Sequence, residues 1–233
     1  MSTASFQGFG PKALPFFRAL DFHQDRAWFA ENRAIYDADV LGPLGAFVAD
    51  LSAACAARGL PLRGSPKGSI FRIHRDVRFS KDKRPYKTHA GALLTRSGAK
   101  TDPGCFYIHI APEGCFCAAG FYDLEPPRLA AVRQALVEGP QRFAAMAETL
   151  AAAGHALDRR WSLTRPPREA AGIADPALVE ALKLKSYLVT RPIEAEAIAG
   201  PGLVADCAGF VEEALPLLRF GWDVLDRLEP ERG

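Results

Sequence analysis

This sequence lacks the features that define several large classes of protein. Its five cysteines are odd in number and irregularly spaced among 233 residues, which does not fit a disulfide framework. It has no run of about 20 apolar residues, so we expect neither a membrane-spanning helix nor a membrane partner. Its start, MSTASFQGFGPKALPFF, lacks the basic region and apolar core of a secretory signal. We therefore expect a cytoplasmic protein whose thiols are reduced.

Charge is nearly balanced over the whole chain but not along it. The net charge is +2, and 48% hydrophobic with 24% charged residues is a globular composition, which excludes a disordered or fibrous chain. Between Arg63 and Arg96, however, ten Lys or Arg stand against two Asp. Such a local excess of cations indicates a basic patch on an otherwise neutral molecule.

The amino-terminal third shows helical spacing. Pro11 suits the first turn of a helix, and apolar residues follow at helical intervals up to Leu20. A second helix is predicted from about Asp25 into the Asp37 region. A third, rich in Ala and Leu, is predicted to end near Gly59, because glycine accepts the left-handed conformation that ends many helices.

The middle of the chain shows the alternation of strands. Ser69 to Phe79 places apolar residues on one face and polar residues on the other. The predicted apolar face carries Phe71, Ile73, Val77 and Phe79, and the polar face carries Arg72, His74, Asp76 and Arg78. Cys105–Ile110 and Cys115–Tyr122 are predicted to form two further strands, joined by the turn at residues 111–114.

Helices return in the last part of the chain. They are predicted at Pro127–Glu138, at Gln141–Ala153, in a short segment from Asp175, and at Cys207–Leu228 with a bend at Pro216. One late strand is predicted near residues 184–190. This order of elements, with helices first, strands at about 68–122 and then helices again, predicts an α+β fold. We expect an antiparallel or mixed central sheet covered by helices, in a single domain of residues 1–233.

The run FRIHRDVRFSKDKRPYKTHAG, Phe71 to Gly91, resembles the family catalogued as domain of unknown function 2461. That family has an R-D-x-R-F-S-x-D-K-x-P-Y-K signature, and the segments FQGFGPKALPFFRAL, RAWFAENRAIYD, GFYDLEPPRLAAVRQAL and LKLKS are similar to it too. This chain has His74 where the family more often has Tyr, and RPPREAAGI where it has a Pro-x-Gly-aromatic turn. The resemblance implies one domain and a bacterial-type cytosolic protein, and it implies no activity.

The basic segment 72–89 is the predicted functional site. Guanidinium and ammonium groups forced close together attract a phosphate-bearing or carboxylate ligand, and an aromatic ring adds a stacking surface. The predicted ligand-binding residues are Arg72, Arg75, Arg78, Ser80, Lys81, Asp82, Lys83, Tyr86, Lys87 and Arg33. Lys183 and Lys185 could extend the same positive surface. We expect a phosphate-bearing small molecule as the partner and no cofactor.

Several alternatives remain open on the sequence alone. The charges could be a solvated surface in which Asp76 and Asp82 pair with Arg75 and Lys83. The same cations could contact the phosphates of a nucleic acid, although no exposed aromatic residue was expected among them. An enzyme acting on a phosphate ester would use Asp76 or His89 as its acid–base group. A purely structural or partner-binding role is a fourth alternative, and oligomeric state is not indicated.

Two further patterns carry weaker hypotheses. His74 and Asp76 could share a strand face with a distal His109, which would resemble a two-His, one-carboxylate iron site. The neighbouring arginines oppose a bound cation, so no metal site is predicted. Cys115 and Cys117 have no second pair at zinc-ligand spacing, and we expect them to be small apolar core residues.

Overall fold

An antiparallel sheet and a larger set of helices make up the chain, and the α+β prediction is confirmed. The structure is a computed structural model that describes residues 5–228. The strands are β1 (Ala90–Thr95), β2 (Cys105–Ile110), β3 (Cys115–Phe121) and β4 (Tyr187–Ile193), and they form one open sheet in that order. The helices are α1 (Ala13–Phe22), α2 (Arg26–Ile35), α3 (Gly42–Ala57), α4 (Pro66–Ser69), α5 (Pro126–Glu138), α6 (Pro140–Ala152), α7 (Pro176–Leu182) and α8 (Gly202–Leu228).

The alternating burial of residues in β2 explains why the central hairpin could be predicted from the sequence. Phe106, Ile108 and Ile110 are fully buried, whereas the alternate residues Tyr107 and His109 are half-buried. The turn that follows closes with an N–H···O bond of 3.2 Å from Gly114 to the Ala111 carbonyl. Gly114 has a φ of 152°, in a region that favours glycine. The predicted β2–β3 hairpin is therefore present, and one face of β2 is left to carry polar side chains.

Residue contacts divide the described chain into two compact units. Of the described residues, the first contains 5–102, 106–117 and 192–210. Its core holds an aromatic group in which the Phe6 ring meets Phe9 and Phe47 edge to face, at 5.6 and 5.4 Å between centroids. The Asp25 carboxylate caps α2 by accepting the Trp28 backbone N–H at 2.8 Å. The expected single-domain organisation of residues 1–233 stays a prediction.

The second unit contains residues 103–105, 118–191 and 211–228 of the described chain. Trp222 in α8 donates its indole N–H to the Pro103 carbonyl at 2.8 Å, and a Cβ at Gly104 would lie only 2.6 Å from that nitrogen. The guanidinium of Arg133 in α5 is buried, and one of its nitrogens donates to the Leu184 carbonyl at 3.2 Å. Sequence reasoning did not single out this buried cation.

One helical stretch, Arg26–Ala57, is long and apolar enough to cross a membrane by length and composition. The sequence analysis expects no membrane-spanning helix, and this candidate does not overturn that expectation, which stays a prediction. The finding is weak evidence for a membrane span, because the core helix of a soluble protein passes the same test. Within this stretch Leu44, Phe47 and Leu51 are at most 1% exposed, packed in the core of the first unit.

Candidate functional site

The basic segment forms an irregular antiparallel hairpin, so the predicted strand at Ser69–Phe79 was wrong. Isolated bridges join Ile70 to Ala92 and His74 to Tyr86, and no regular ladder lies between them. The Arg75 N–H donates to the Pro85 carbonyl at 2.8 Å. Because Pro85 has no N–H to donate to the Arg75 carbonyl in turn, the pairing cannot continue as a ladder at this point. We call residues 70–89 the basic hairpin, and residues 76–84 its tip.

The alternation of exposure along the first arm of the basic hairpin survives without a strand. Ile73 is buried, and the charged residues around it face solvent. Arg72, His74, Asp76 and Arg78 are all exposed. Phe79 was predicted to share the apolar face with Ile73, but 96% of it is exposed. The polar face is open, and the tip presents an aromatic ring to solvent.

Several predicted ligand-binding cations are paired within the tip. Arg78 holds Asp76 through two nitrogens at 3.0 and 2.7 Å, and these bonds keep the pKa of Asp76 below its usual value. Arg75 donates to Asp82 at 2.6 Å. The Arg84 backbone N–H and then the Arg75 guanidinium hold the pKa of Asp82 low. The alternative interpretation of the sequence, in which Asp82 pairs with Arg75 inside the protein, therefore matches the observed contacts.

The remaining contacts of the tip close it onto the body of the first unit. Lys83 donates to the Val77 carbonyl at 2.9 Å instead of pairing with a carboxylate, as the structural alternative had supposed. Arg84, besides bonding Asp82, reaches Asp21 at 2.9 Å. These contacts leave Lys81 as an exposed cation for which the described residues supply no ion-pair partner. Ser80 is half-buried at the tip.

Two other predicted ligand-binding residues, Tyr86 and Arg33, make contacts within the protein itself. Tyr86 is 3% exposed and its ring stacks on Phe29 at 4.5 Å, so it is a core residue and offers no open face to a ligand. Arg33 pairs with Asp37 one helical turn away at 3.0 Å. In the second unit Lys183 pairs in the same way with Glu180 at 3.0 Å.

A second group of cations, without a carboxylate partner in the described chain, comprises Arg72, Lys87 and Lys100. Two of them, Lys87 and Lys100, lie near one aromatic ring, and the Lys100 ammonium also donates to the Ile70 carbonyl at 2.5 Å. The ammonium nitrogens of Lys87 and Lys100 lie 5.3 and 4.9 Å from the Phe71 ring centroid. Burial lowers the pKa of Lys87, and repulsion from Arg72 and Lys100 adds to the effect. Among residues 5–228 no carboxylate forms a salt bridge with any of the three. We call Arg72, Lys87 and Lys100 the cation cluster.

Two histidines stack beside the cation cluster on the half-buried face of β2. The ring of His109 lies between His89, at 4.4 Å, and Phe116, at 4.7 Å between centroids. The Tyr107 hydroxyl lies 3.0 Å from Nδ1 of His109. Burial lowers the pKa of His109 to about 4, and it lowers the pKa of His89, with Lys87 adding repulsion. Both imidazoles are therefore neutral near pH 7, and they can donate or accept hydrogen bonds.

The hypothetical metal set is not assembled. The His74 ring lies against Tyr86 at 5.1 Å between centroids, whereas the His109 ring lies beside His89. We call His89 and His109 the imidazole stack. No group of three or more His, Cys, Asp or Glu side chains suited to a metal occurs in the described part of the chain. Cys115 and Cys117 are buried, which matches the prediction that they are core residues.

Sequence reasoning missed three members of this site. Lys100 comes from the loop after β1, where nothing in the sequence connects it with Phe71, which lies 29 residues earlier. Tyr107 and Phe116 carried a signal, because they alternate with buried residues on the predicted strands β2 and β3. Gly91 in β1 leaves room for Tyr107, since a Cβ at that position would lie 2.6 Å from the tyrosine oxygen.

Comparison with known proteins gives one family and no close relative. No curated protein and no solved structure matches the chain. A family model described as "Conserved hypothetical protein (DUF2461)" matches residues 12–220, which include the basic hairpin, the cation cluster and the imidazole stack. The family description names no activity. The match covers most of the 233 residues, and the chain therefore belongs to the DUF2461 family.

Proposed function

We propose that this protein binds a phosphate-bearing anion at the cation cluster. The observation that carries the proposal is the pair Lys87 and Lys100 at the Phe71 ring, with Arg72 close enough to repel Lys87 and no carboxylate salt-bridged to the three among the described residues. Cations held together at a partly buried place repel each other, and a bound anion relieves that repulsion. A bound anion also offsets the burial and repulsion that lower the pKa of Lys87, and so favours its charged form.

The neighbouring groups suit phosphate better than a simple carboxylate. A guanidinium and two ammonium groups offer many charge-assisted donors. The neutral imidazole of His89 adds a hydrogen-bonding group within the influence of Lys87. This set replaces the sequence-based one, because Arg75 and Arg78 of that set are held by carboxylates. We place the protein in the cytoplasm, where phosphorylated metabolites are abundant, as part of the same proposal.

The experiment that tests the proposal is a calorimetric and thermal-shift titration with phosphate, pyrophosphate, phosphosugars and nucleotides. A ligand at about a hundred times its dissociation constant stabilises the fold by about 2.7 kcal/mol, a shift of a few degrees. The Lys87→Met variant keeps the apolar stem, and we expect it to lose about tenfold or more in affinity. Lys185→Met, at an exposed lysine of the second unit, is the matched control and should bind as the wild type does.

No binding of any phosphate-bearing probe by the wild type would overturn the proposal. Equal losses in Lys87→Met and Lys185→Met would do the same, because they would show that general charge and not the cation cluster sets the affinity. A structural or protein-binding role would then be favoured.

A second candidate function, hydrolysis of a phosphate ester, is favoured by the position of His89. A neutral imidazole beside bound phosphate can take the proton of an attacking water molecule. Asp76, the other sequence candidate, is exposed and bonded to Arg78, which makes it a poor proton acceptor. His89→Asn should abolish turnover of a phosphate ester while leaving phosphate affinity within about threefold. A wild type that binds these esters without turnover would exclude the enzyme.

A further inference from the structure

Phe79 is an exposed aromatic residue with cationic neighbours, and it belongs to neither the cation cluster nor the core. It is 96% exposed at the tip of the basic hairpin, between Arg78 and Lys81 in sequence. The guanidinium carbon of Arg78 lies 5.9 Å from the ring centroid, and Asp76 holds that guanidinium in place. One face of the ring thus has a cation beside it, while the ring as a whole remains open.

The tip that carries Phe79 is held by its own contacts. Arg75 bonds Asp82 at its base, and Lys83 ties back to the Val77 carbonyl. Arg84 anchors the far side to Asp21 in α1. A ring displayed on a braced loop loses less conformational entropy on binding than one on a free loop. The bracing therefore favours a role in recognition for an aromatic residue that contributes almost nothing to the core.

The tip and the cation cluster lie on one continuous segment. Arg72 belongs to the cluster and precedes Phe79 by seven residues, a reach of at most about 25 Å along an extended chain. Between residues 72 and 89 the segment carries seven Lys or Arg and two Asp. Cations spaced along a strip with an open aromatic ring at its end match a ligand that has several phosphates and flat bases.

We propose that the anion recognised by this protein is single-stranded nucleic acid. Its phosphates contact the cation cluster, and one base stacks on Phe79. This inference rests on the proposed anion binding and names its ligand class. Base stacking leaves Arg78 and Asp76 in water, whereas inserting Phe79 into a lipid bilayer would carry that ion pair toward hydrocarbon at a desolvation cost. One reason for disfavouring nucleic acid, the lack of an exposed aromatic residue among the cations, no longer applies.

Fluorescence anisotropy with labelled eight-nucleotide dT and rU strands tests the inference. We expect Phe79→Ala to weaken binding about tenfold, as for the loss of one stacked base. Phe22→Ala is the matched control, because Phe22 is 90% exposed but lies outside the basic segment, and it should bind as the wild type does. Three phosphate contacts predict a log–log salt slope of about −2, which Lys87→Met should reduce by about 0.7.

The outcomes separate this inference from the proposed function. Binding of pyrophosphate that depends on Lys87, with no binding of either strand, would overturn the inference and leave anion binding in place. Strand binding that Phe79→Ala does not weaken, or that Phe22→Ala weakens equally, would also overturn it. So would tighter binding of a duplex than of the single strands. If neither pyrophosphate nor the strands bind, both proposals fail.

Discussion

The imidazole rings of His89 and His109 lie 4.4 Å apart, stacked on the half-buried face of β2. One histidine comes from the end of the basic hairpin and the other from a central strand, so their stacking ties the two segments together. Protonating either ring would place a charge in a partly desolvated position, and a charge on His89 would also be repelled by Lys87. The fold therefore favours the neutral form of both rings.

We expect the free energy of unfolding to decrease as the pH falls from about 6.5 to 4. In the unfolded chain His109 takes up a proton near pH 6.5, whereas in the fold its pKa is about 4. The unfolded state thus binds more protons in this window, and the expected loss is about 1–2 kcal/mol after allowing for solvent screening. Above pH 6.5 His109 contributes no pH dependence. Urea unfolding between pH 4 and 8 measures the effect.

His109→Gln is the comparison for this pH dependence. Its unfolding free energy should change less than that of the wild type between pH 6.5 and 4, while both proteins keep the pH dependence of their carboxylates. The pKa of His89 is lowered in the same direction, so the double variant with His89→Gln should be flatter still. Parallel curves for the wild type and His109→Gln would contradict the assignment.

Gly91→Ala should destabilise the protein through Tyr107. The added Cβ would lie 2.6 Å from the tyrosine oxygen, so the ring must move away from its place beside His109. We expect a loss of about 1–3 kcal/mol, the usual cost of overpacking. Gly209→Ala in α8 is the control, because its Cβ would meet only Arg58 at 4.0 Å, and it should be neutral or slightly stabilising.

A double-mutant cycle decides whether Tyr107 transmits the Gly91→Ala effect. In a Tyr107→Phe background the closest atoms to the new Cβ would be ring carbons at 3.0 and 3.1 Å, so part of the loss should be recovered. Additive losses in chemical denaturation would show that the strain arises elsewhere in β1.

Asp82→Asn should loosen the tip of the basic hairpin without unfolding the protein. Asp82 accepts hydrogen bonds from both Arg75 and Arg84, and the amide cannot hold two guanidinium groups by charge. Hydrogen exchange of backbone amides in residues 75–86 should become faster, while the core strands keep their protection. Glu196→Gln, an exposed carboxylate outside the hairpin, is the control. Unchanged exchange in the tip would show that Asp82 does not brace it.

Phe79 and Tyr86 should differ sharply in their contribution to stability. Phe79→Ala should change the unfolding free energy by less than about 0.5 kcal/mol, because the ring is solvent-exposed. Tyr86→Ala should cost about 3–5 kcal/mol, because its buried ring stacks on Phe29. Thermal and urea unfolding measure both. A large loss for Phe79→Ala would mean that the tip packs against the protein in solution.

The elements that depend on local patterns were predictable. The β2–β3 hairpin follows from alternation and a Gly-containing turn, and α3 ends before Gly59, which has a φ of 67°. Helix α7 begins after Asp175, whose side chain caps the Ala177 N–H at 2.9 Å. Each of these signals acts within a few residues, so the sequence contains it directly.

The predicted strand at 69–79 failed for a reason that local patterns do not show. The segment alternates as a strand does, but its partner is the arm 85–92, in which Pro85 lacks an N–H and only isolated bridges form. Alternation did not decide whether the face that carries Arg72 and Arg78 is open, which the structure shows it to be, and it wrongly placed Phe79 on a covered apolar face. Alternation indicates which faces differ, whereas burial depends on what packs against them.

The sequence by itself determined the α+β class, the family and the concentration of cations at residues 72–89, because these follow from composition, short-range periodicity and a long signature. Only the tertiary structure decided which of those cations are free to bind. Arg75 and Arg84 meet carboxylates, whereas Lys87 meets Lys100 from a distant loop. The residue type alone defines the charge of a side chain, whereas its ion-pair partner depends on contacts between residues far apart along the chain.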